Sequence, residues 1–501
     1  MNTTTKSRAE QCPSYDELVS IVAKLQAENQ WLKEQFNLLR ANTFGASQES
    51  LTQISLLDDG AGHEAAAIEE ENISGYTRKK RKPKKGRTID TSTLPRETIE
   101  HGLSDAEKTC SCQHLMTRIG KETSEKIDFI PPRIKVIEHI EYKYACRQCG
   151  CLKQAKKPEQ PLGKLLATVP FLVEIILKKF QHHPPYYRQS KILAQSGIAI
   201  ADNTLANWVM KGGKVLHSLY EALTEELKKI RKLQVDESPI RVLSQDAKGY
   251  VWCYYSYDKS NEFFLYEIAQ HRSADVVNNT LAGYEGILQS DGYSGYNRFR
   301  KNLQVMTPGC WAHARRKFFD VLKSKSAGYA TAAKFIRLID QLFEIESQSK
   351  QQTSKTRLEL RAEHSAAIIE KIKVMADDYL AGPLPKSSMG KALTYLVNQW
   401  DYLILFLQHE DIELSTNWVE NAIRPLALGR KNWLFINSLE TGQTTALFYS
   451  LIQTCVANHI KPRDYLTYVF NCAPQIRRKE ICARSLLPQF IDREKIKVDR
   501  K

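Results

Sequence analysis

The sequence predicts a multidomain α+β chain in which a mixed α/β core follows helical, cysteine-rich and basic segments. Three observations carry this expectation. Strand-like runs, "KLQVDESPIRVL", "GYVWCYYSYD" and "NEFFLYEIA", begin only at Lys232 and are followed by a helical stretch, "SADVVNNTLAGY", and a fourth strand, "GILQSDGY". Strand, strand, strand, helix, strand is the order of a mixed sheet with a crossover helix. A leucine heptad opens the chain, and five cysteines gather between Cys110 and Cys151.

A length of 501 residues implies several domains, and a hydrophobic content of 42% suffices to bury their cores. The 72 Lys and Arg exceed the 57 Asp and Glu, leaving a formal charge of +15. Such an excess points to a polyanionic partner, nucleic acid or an acidic membrane surface, although a merely basic soluble enzyme would share it. The start, "MNTTTKSRAEQ", is polar, with no apolar signal-peptide core behind it. The most apolar runs, "VPFLVEIILKKF" and "LTYLVNQWDYLILFL", are interrupted by Glu174 and Asp401. They fall short of the ~20 residues a bilayer requires. An odd cysteine count suits a reducing compartment and a metal site better than a disulfide scaffold. The expectation is a soluble cytoplasmic protein with no membrane partner.

Residues 13–41 read as an oligomerisation helix. Leu18, Leu25, Leu32 and Leu39 recur at heptad spacing, with Tyr15, Val22, Asn29 and Phe36 three positions before each. This is a short a/d seam, and a polar Asn at an a position fixes register and a two-stranded state at some cost in stability. The other reading is a helix packed on its own domain. Residues 42–98 form a linker carrying "RKKRKPKKGR", Arg78 to Arg87, with eight basic residues in ten. This arm, led by Arg78, Lys79, Lys80 and Arg81, is expected to bind phosphate backbone without choosing sequence.

Residues 99–160 contain "CSCQH" and "CRQCGC", two knuckles joined by alternating segments such as "RIKVIEHIEYKYA". Thiolate and imidazole donors in this pattern suit tetrahedral zinc in a small ribbon. Cys146 and Cys149 have good knuckle spacing. The first knuckle is compressed, so either Cys110 with Cys112 or Cys112 with His114 completes the set. Residues 161–231 read as helical, and "RQSKILAQSGIAIADNTLANWV" has the helix, glycine turn, helix rhythm of a helix-turn-helix. Residues 232–440 form the mixed core, with "LQVMT" as a further strand and a helical insertion over about 327–408. Residues 441–501 form a C-terminal helical element.

The chemistry rests on three acids. Asp236 is expected to end the first core strand and Asp291 the fourth, so both lie at one edge of the sheet, where ligands commonly bind. Glu237 points to the opposite face and reads as strand-end surface. Taken alone, Asp236 is a strand cap and Asp291 a turn former. Together in one place they repel unless a divalent cation lies between them. A third carboxylate, Glu420, in "STNWVENAIRPLALGRKNWLF", makes a site for two hard metal ions held by oxygen. Two such ions, about 3.5–4 Å apart, clamp the attacking and leaving oxygens of a phosphoryl transfer.

The arrangement resembles the ribonuclease H-like core of DDE transposases, and more closely the insertion-sequence 66 (IS 66) transposase family. "QVDESPIRVL" and "SDGYSGYN" look like that family's two aspartate motifs. "CWAHARRKF" is similar to the segment after the next strand, with a Cys-x-x-His pair at Cys310 and His313. "PKSSMGKALTYLVNQW" and "NWVENAIRPLALGRKNWLF" resemble the stretch carrying its glutamate, although Ser415 and Asn421 replace the Asp and Arg of many relatives. "GRTIDTSTLPRE" and the cysteine unit resemble its N-terminal parts.

The resemblance implies that Asp236, Asp291 and Glu420 are a catalytic triad binding Mg2+ or Mn2+, and that zinc is structural. It also implies hydrolysis at transposon ends, exposing a 3′-hydroxyl that attacks target DNA. Expected partners are DNA, further copies of the chain and accessory proteins encoded beside it, in a nucleoid-associated setting. His313, Arg315 and Arg316 are expected near a scissile phosphate, and Arg430 and Lys431 on DNA phosphates. Asn417, one helical turn before Glu420, would support the metal or the phosphate. Cys310 reads as core, and Tyr293 and Tyr296 as core aromatics or base-stacking platforms. Two rival functions are a DNA-binding regulator that lost catalysis and a ribonuclease H-like nuclease without strand transfer.

Overall fold

The computed structural model describes residues 15–44, 134–145, 152–155 and, with short breaks near 246, 260, 326, 351 and 383, residues 159–496, besides positions 97, 98 and 126. The expected zinc ligands Cys110, Cys112, His114, Cys146 and Cys149, and the basic arm, lie outside the described residues. The chain divides into two compact units, residues 1–57 with 137–501, and residues 58–136.

Helix α1 (Tyr15–Phe44) contains the heptad, and β1 (Lys143–Ala145) pairs antiparallel with β2 (Leu152–Gln154). Four helices follow: α2 (Val169–Phe180), α3 (Tyr186–Gln195), α4 (Asp202–Val215) and α5 (His217–Leu227). The apolar run of α2 buries Leu172, Val173, Ile176 and Phe180, while Glu174 turns out to meet Arg463 and Lys178. An interrupted apolar run of this kind is one buried helix face. Gly197, at φ 89°, makes the turn between α3 and α4, a conformation a side chain would resist.

The sheet has the order β5-β4-β3-β6-β7, from β3 (Lys232–Val242), β4 (Ala247–Ser256), β5 (Phe263–Ala269), β6 (Gly286–Gln289) and β7 (Val305–Met306). The first three strands are antiparallel, and β6 joins β3 in parallel after the crossover helix α6 (Ala274–Thr280). Strand β3 outlasts its neighbour, since its ladder with β6 covers only Lys232 to Gln234 while its pairing with β4 continues to Val242. Asp236 is therefore mid-strand, not at a strand end as the sequence suggested. It still sits just past the end of the β3–β6 ladder, because β6 is the short partner.

A helical body follows: α7 (Trp311–Ser324), α8 (Tyr329–Ser349), α9 (Ser354–Leu360), α10 (Ala366–Leu380) and α11 (Ser388–Asn398). It has its own core, including Trp311, Phe318, Phe335, Ile339, Ile372 and Leu396. At its centre Arg361 is fully buried. Its guanidinium donates to Glu346 at 3.0 and 2.7 Å and to the carbonyls of Phe406, His409 and Ile412 at 2.7–2.8 Å, closing the return loop. Every donor is thereby satisfied by a charge or a carbonyl, which is what lets a cation stay buried.

The chain then re-enters the sheet core through α12 (Asn417–Trp433), α13 (Leu439–Ala457) and α14 (Pro462–Asn471). Helix α12 lies on β3 and β4, and Ile436 beyond it bridges in parallel to Val242. Helix α13 covers the outer strand, where Thr454 and Ser450 hydroxyls accept from the Phe264 and Tyr266 amides at 3.0 and 2.9 Å. Such cover removes an edge that would otherwise pair with another strand. Among the described residues no helix is long and apolar enough to cross a membrane.

Candidate active site

Gln234 of β3 and Gln289 of β6 are direct partners in the parallel ladder. Asp236 and Asp291 each follow two positions after this pair, Asp236 still within β3 and Asp291 just past the end of β6. Asp291 begins a tight turn: its Oδ1 accepts from the Tyr293 amide at 2.9 Å, and its carbonyl accepts from Arg300 at 3.3 Å. Arg300 in turn donates to Gln399 Oε1 at 2.7 Å. A Cβ on Gly292 would come within 2.7 Å of the Tyr395 ring, so only glycine lets the helical body close on this loop.

Glu420 comes from the first turn of α12. Its two oxygens face α7, Oε2 at 3.4 Å from Arg316 Nη2 and Oε1 at 3.7 Å from His313 Nδ1. His313 and Arg316 are three residues apart on α7 and so share a face of that helix. Arg315 takes another direction, and its Nε and Nη2 donate to Asp340 at 2.6 and 3.2 Å.

Asp236 senses the other acids. Burial, then the charges of Glu420, Glu237 and Asp291, push the Asp236 carboxyl up to about 8, with His313 acting in the other direction. Burial also works against charge on both members of the Cys310–His313 pair. Mutual attraction, helped by Glu420 and Asp291 on the histidine side, nonetheless raises His313 to about 9 and lowers Cys310. His313 Nδ1 and Glu420 Oε1 are both buried without a hydrogen-bond partner.

Glu237 is not the exposed strand-end residue the sequence suggested. Its side chain is 2% exposed and paired with Arg272, and it accepts from Tyr296 Oη at 2.6 Å. The correction follows from β3 running on past Asp236, which keeps Glu237 inside the sheet. Tyr296 is core, and Tyr293 carries Arg272 over its ring at 3.9 Å, so both tyrosines are engaged within the protein. Arg430 donates to Ser238 Oγ at 2.9 Å and to the Pro239 carbonyl, while Lys431 is exposed. The Asn417 amide donates to Ser415 Oγ at 3.4 Å. Cys310 is buried, as its reading as core required.

Among the described residues no three His, Cys, Asp or Glu side chains converge closely enough to form a ready metal cage. The donor set nevertheless fits a hard divalent cation. Carboxylate oxygens are its preferred ligands, Asp236 is held against ionisation by burial and then by neighbouring negative charge, and Glu420 Oε1 accepts no hydrogen bond.

Comparison with known proteins bears on the whole arrangement. Residues 164–444 match the family described as "Transposase IS66 family". Residues 107–150 match "zinc-finger binding domain of transposase IS66", and residues 31–99 match "Transposase C of IS166 homeodomain". Uncharacterized protein y4qI of Sinorhizobium fredii is 33% identical over 388 residues, covering 74% of this chain and 71% of that protein. Uncharacterized protein y4jD of the same organism is 28% identical over 482 residues, covering 92% of this chain and 93% of its own length.

Proposed function

The chain belongs to the IS66 transposase family, and we propose that it is a DDE-type DNA transposase whose catalytic carboxylates are Asp236, Asp291 and Glu420. The observation that carries this reading is geometric: Asp236 and Asp291 each follow by two residues the Gln234–Gln289 pair that ends the β3–β6 ladder, and Glu420 stands in the first turn of the helix packed on β3. A sheet of three antiparallel strands extended by two parallel ones, with the last acid on a later helix, is consistent with a ribonuclease H-like core.

In this reading the protein binds terminal inverted repeats and first hydrolyses a phosphodiester. Water forms the new P–O bond, the bond to the 3′ oxygen breaks, and a 3′-hydroxyl remains. That hydroxyl then attacks a phosphodiester of target DNA, displacing another 3′ oxygen. Asp236, Asp291 and Glu420 would hold the divalent cations, which supply Lewis-acid polarisation of the phosphoryl oxygens. His313 and Arg316 orient the Glu420 carboxylate from α7 and bring positive charge to the side of the site where a phosphate would lie. Arg430 and Lys431, at the far end of α12, are candidate phosphate contacts further along the DNA.

The match of residues 107–150 to a zinc-finger domain supports zinc on Cys110, Cys112, Cys146 and Cys149, with His114 as the alternative ligand. The arm Arg78–Arg87 would add affinity for DNA, residues 161–231 would contribute a helix-turn-helix-like contact, and α1 would join two copies of the chain. Accessory proteins encoded by the same element are further expected partners.

The test is cleavage of a labelled terminal-repeat duplex in the presence of magnesium and a second DNA. The native chain is expected to cut the duplex and join its ends to the second DNA. Glu420→Gln should reduce cutting by about 10³-fold or more, a loss of roughly 4 kcal/mol of transition-state stabilisation, with DNA binding unchanged. Undiminished cutting by that variant sinks the triad. Binding without cutting by the native chain would indicate a regulator, and cutting without joining a nuclease.

A further inference from the structure

Two residues before each proposed catalytic aspartate the strand carries a glutamine, and both Gln234 and Gln289 have no exposed surface. Their amides form a closed set of hydrogen bonds. Gln234 Nε2 donates to Gln289 Oε1 at 3.0 Å and to the Ser415 carbonyl at 2.9 Å, and Gln234 Oε1 accepts from the Val419 amide at 3.2 Å. Gln289 Nε2 donates to the carbonyls of Gly309 and Glu413 at 3.2 and 2.6 Å. The segment so gripped, Glu413 to Val419, is the one that turns into α12 and delivers Glu420.

Other groups complete the grip. The Trp311 amide donates to the Leu414 carbonyl at 2.9 Å, and the Thr416 amide and hydroxyl each reach Cys310 Sγ at 3.3 Å. Thr416 occupies the cap position of α12 but makes no side-chain cap bond, and Gln234 satisfies the Val419 amide of the first turn instead. The two amides satisfy the carbonyls of Ser415, Gly309 and Glu413 and the amide of Val419, so their own burial is compensated. What the amides add is geometry. They tie the main chain entering α12 to the two strands that carry the aspartates.

We infer that Gln234 and Gln289 are positioning residues that set Glu420 against Asp236 and Asp291; the inference rests on the triad proposed above. The test uses the full-length chain with Gln234→Met, Gln289→Met and the double variant. Removing both amides at matched volume takes away both partners of the Gln234–Gln289 bond but leaves the Ser415, Gly309 and Glu413 carbonyls and the Val419 amide without theirs, so the double variant should stay folded with a Tm several degrees below that of the native protein. Its binding to a terminal-repeat duplex should be unchanged. Mn2+ binding measured by calorimetry should weaken by about 10–100-fold, the usual cost of losing a group that orients a metal ligand, and the magnesium needed for half-maximal cleavage should rise by a similar factor. Gln289→Glu, which keeps shape but removes the donors, should show the same metal defect.

Native metal affinity in the double variant would overturn the inference. So would unfolding of every variant, which would make the pair structural only. Glu420→Gln run alongside separates the two claims. If that variant binds Mn2+ and cuts like the native chain, the triad itself fails. If it is inert while the glutamine variants behave natively, only the positioning role fails.

Discussion

Lys179 lies on α2 between two aromatic rings, its Nζ 4.7 Å from the centroid of Tyr186 and 4.8 Å from that of Trp433. Burial lowers its pKa to about 7, and His183 nearby is likewise lowered by burial, then by the charge of His182. An unfolded lysine keeps its proton to about 10.4. Between about 7 and that value the unfolded chain binds more protons than the folded one, so the Lys179 contribution to stability rises with pH across this window. Below it the folded state bears a desolvated cation compensated mainly by the two rings. Lys179→Met should therefore raise Tm at pH 6.5 by several degrees, and the gain should shrink towards zero by about pH 10. Thermal melts of both proteins across that range check it, and a variant no more stable at pH 6.5 would refute it. The same scale shows what sequence can and cannot disclose about a site. The proposed triad, Asp236, Asp291 and Glu420, is conspicuous in the sequence because acids at the ends of strand-like runs, and one acid in a basic helix, stand out chemically. Gln234 and Gln289 are not, since a glutamine in an alternating strand reads as its solvent face until a segment some 125 to 180 residues later is seen to cover it. Glu237 was misread for a related reason: periodicity gives the face but not where the strand stops.

At the element scale, helix α1 packs on its own chain, one of the two readings the sequence offered, and the pairing of two copies is a proposal its remaining face permits. One face is used within the chain: Glu34 is 4% exposed and accepts from the Ser388 amide at the start of α11 at 3.1 Å, and Asn37 donates to the Ser324 carbonyl at the end of α7 at 3.3 Å. The heptad leucines lie on another face, with Leu18, Leu25 and Leu32 between 47% and 58% exposed. A self-complementary row of leucines with Asn29 at an a position is the pattern that pairs with a second copy of itself. Leu25→Glu with Leu32→Glu should then convert a concentration-dependent dimer to monomer in sedimentation velocity while leaving the Tm of the core unchanged. A native chain that sediments as a monomer at every concentration would dispose of the seam as an interface. Glu34→Ala probes the other face and should cost about 1 kcal/mol, as loss of a helix cap does, with no change in association.

At the scale of the whole molecule, strand identities and their order along the chain were legible from alternation and turn residues, and the helical body from its periodicity. The neighbour relations were not. Nothing local says that β6 pairs with the middle strand β3, or that Ile436 returns to bridge Val242. Those contacts are set by packing between segments far apart in sequence. Charge is the property of the whole chain that sequence states outright, and it leads to a measurable consequence. With a formal charge of +15, of which the arm Arg78–Arg87 supplies eight positive residues, binding to duplex DNA should be strongly salt-dependent. Each phosphate neutralised contributes about 0.9 to the slope of log affinity against log salt concentration. Deleting residues 78–87 should flatten that slope by up to about seven units if every basic residue of the arm engages a phosphate. The preference for a terminal repeat over random duplex should be retained, because phosphate contacts carry no sequence information. Titrations between 50 and 200 mM salt with both duplexes, at about the conditions where such slopes are readable, decide the matter. An unchanged slope would mean the arm stays in solvent when DNA is bound, and a lost preference would mean that it reads sequence after all.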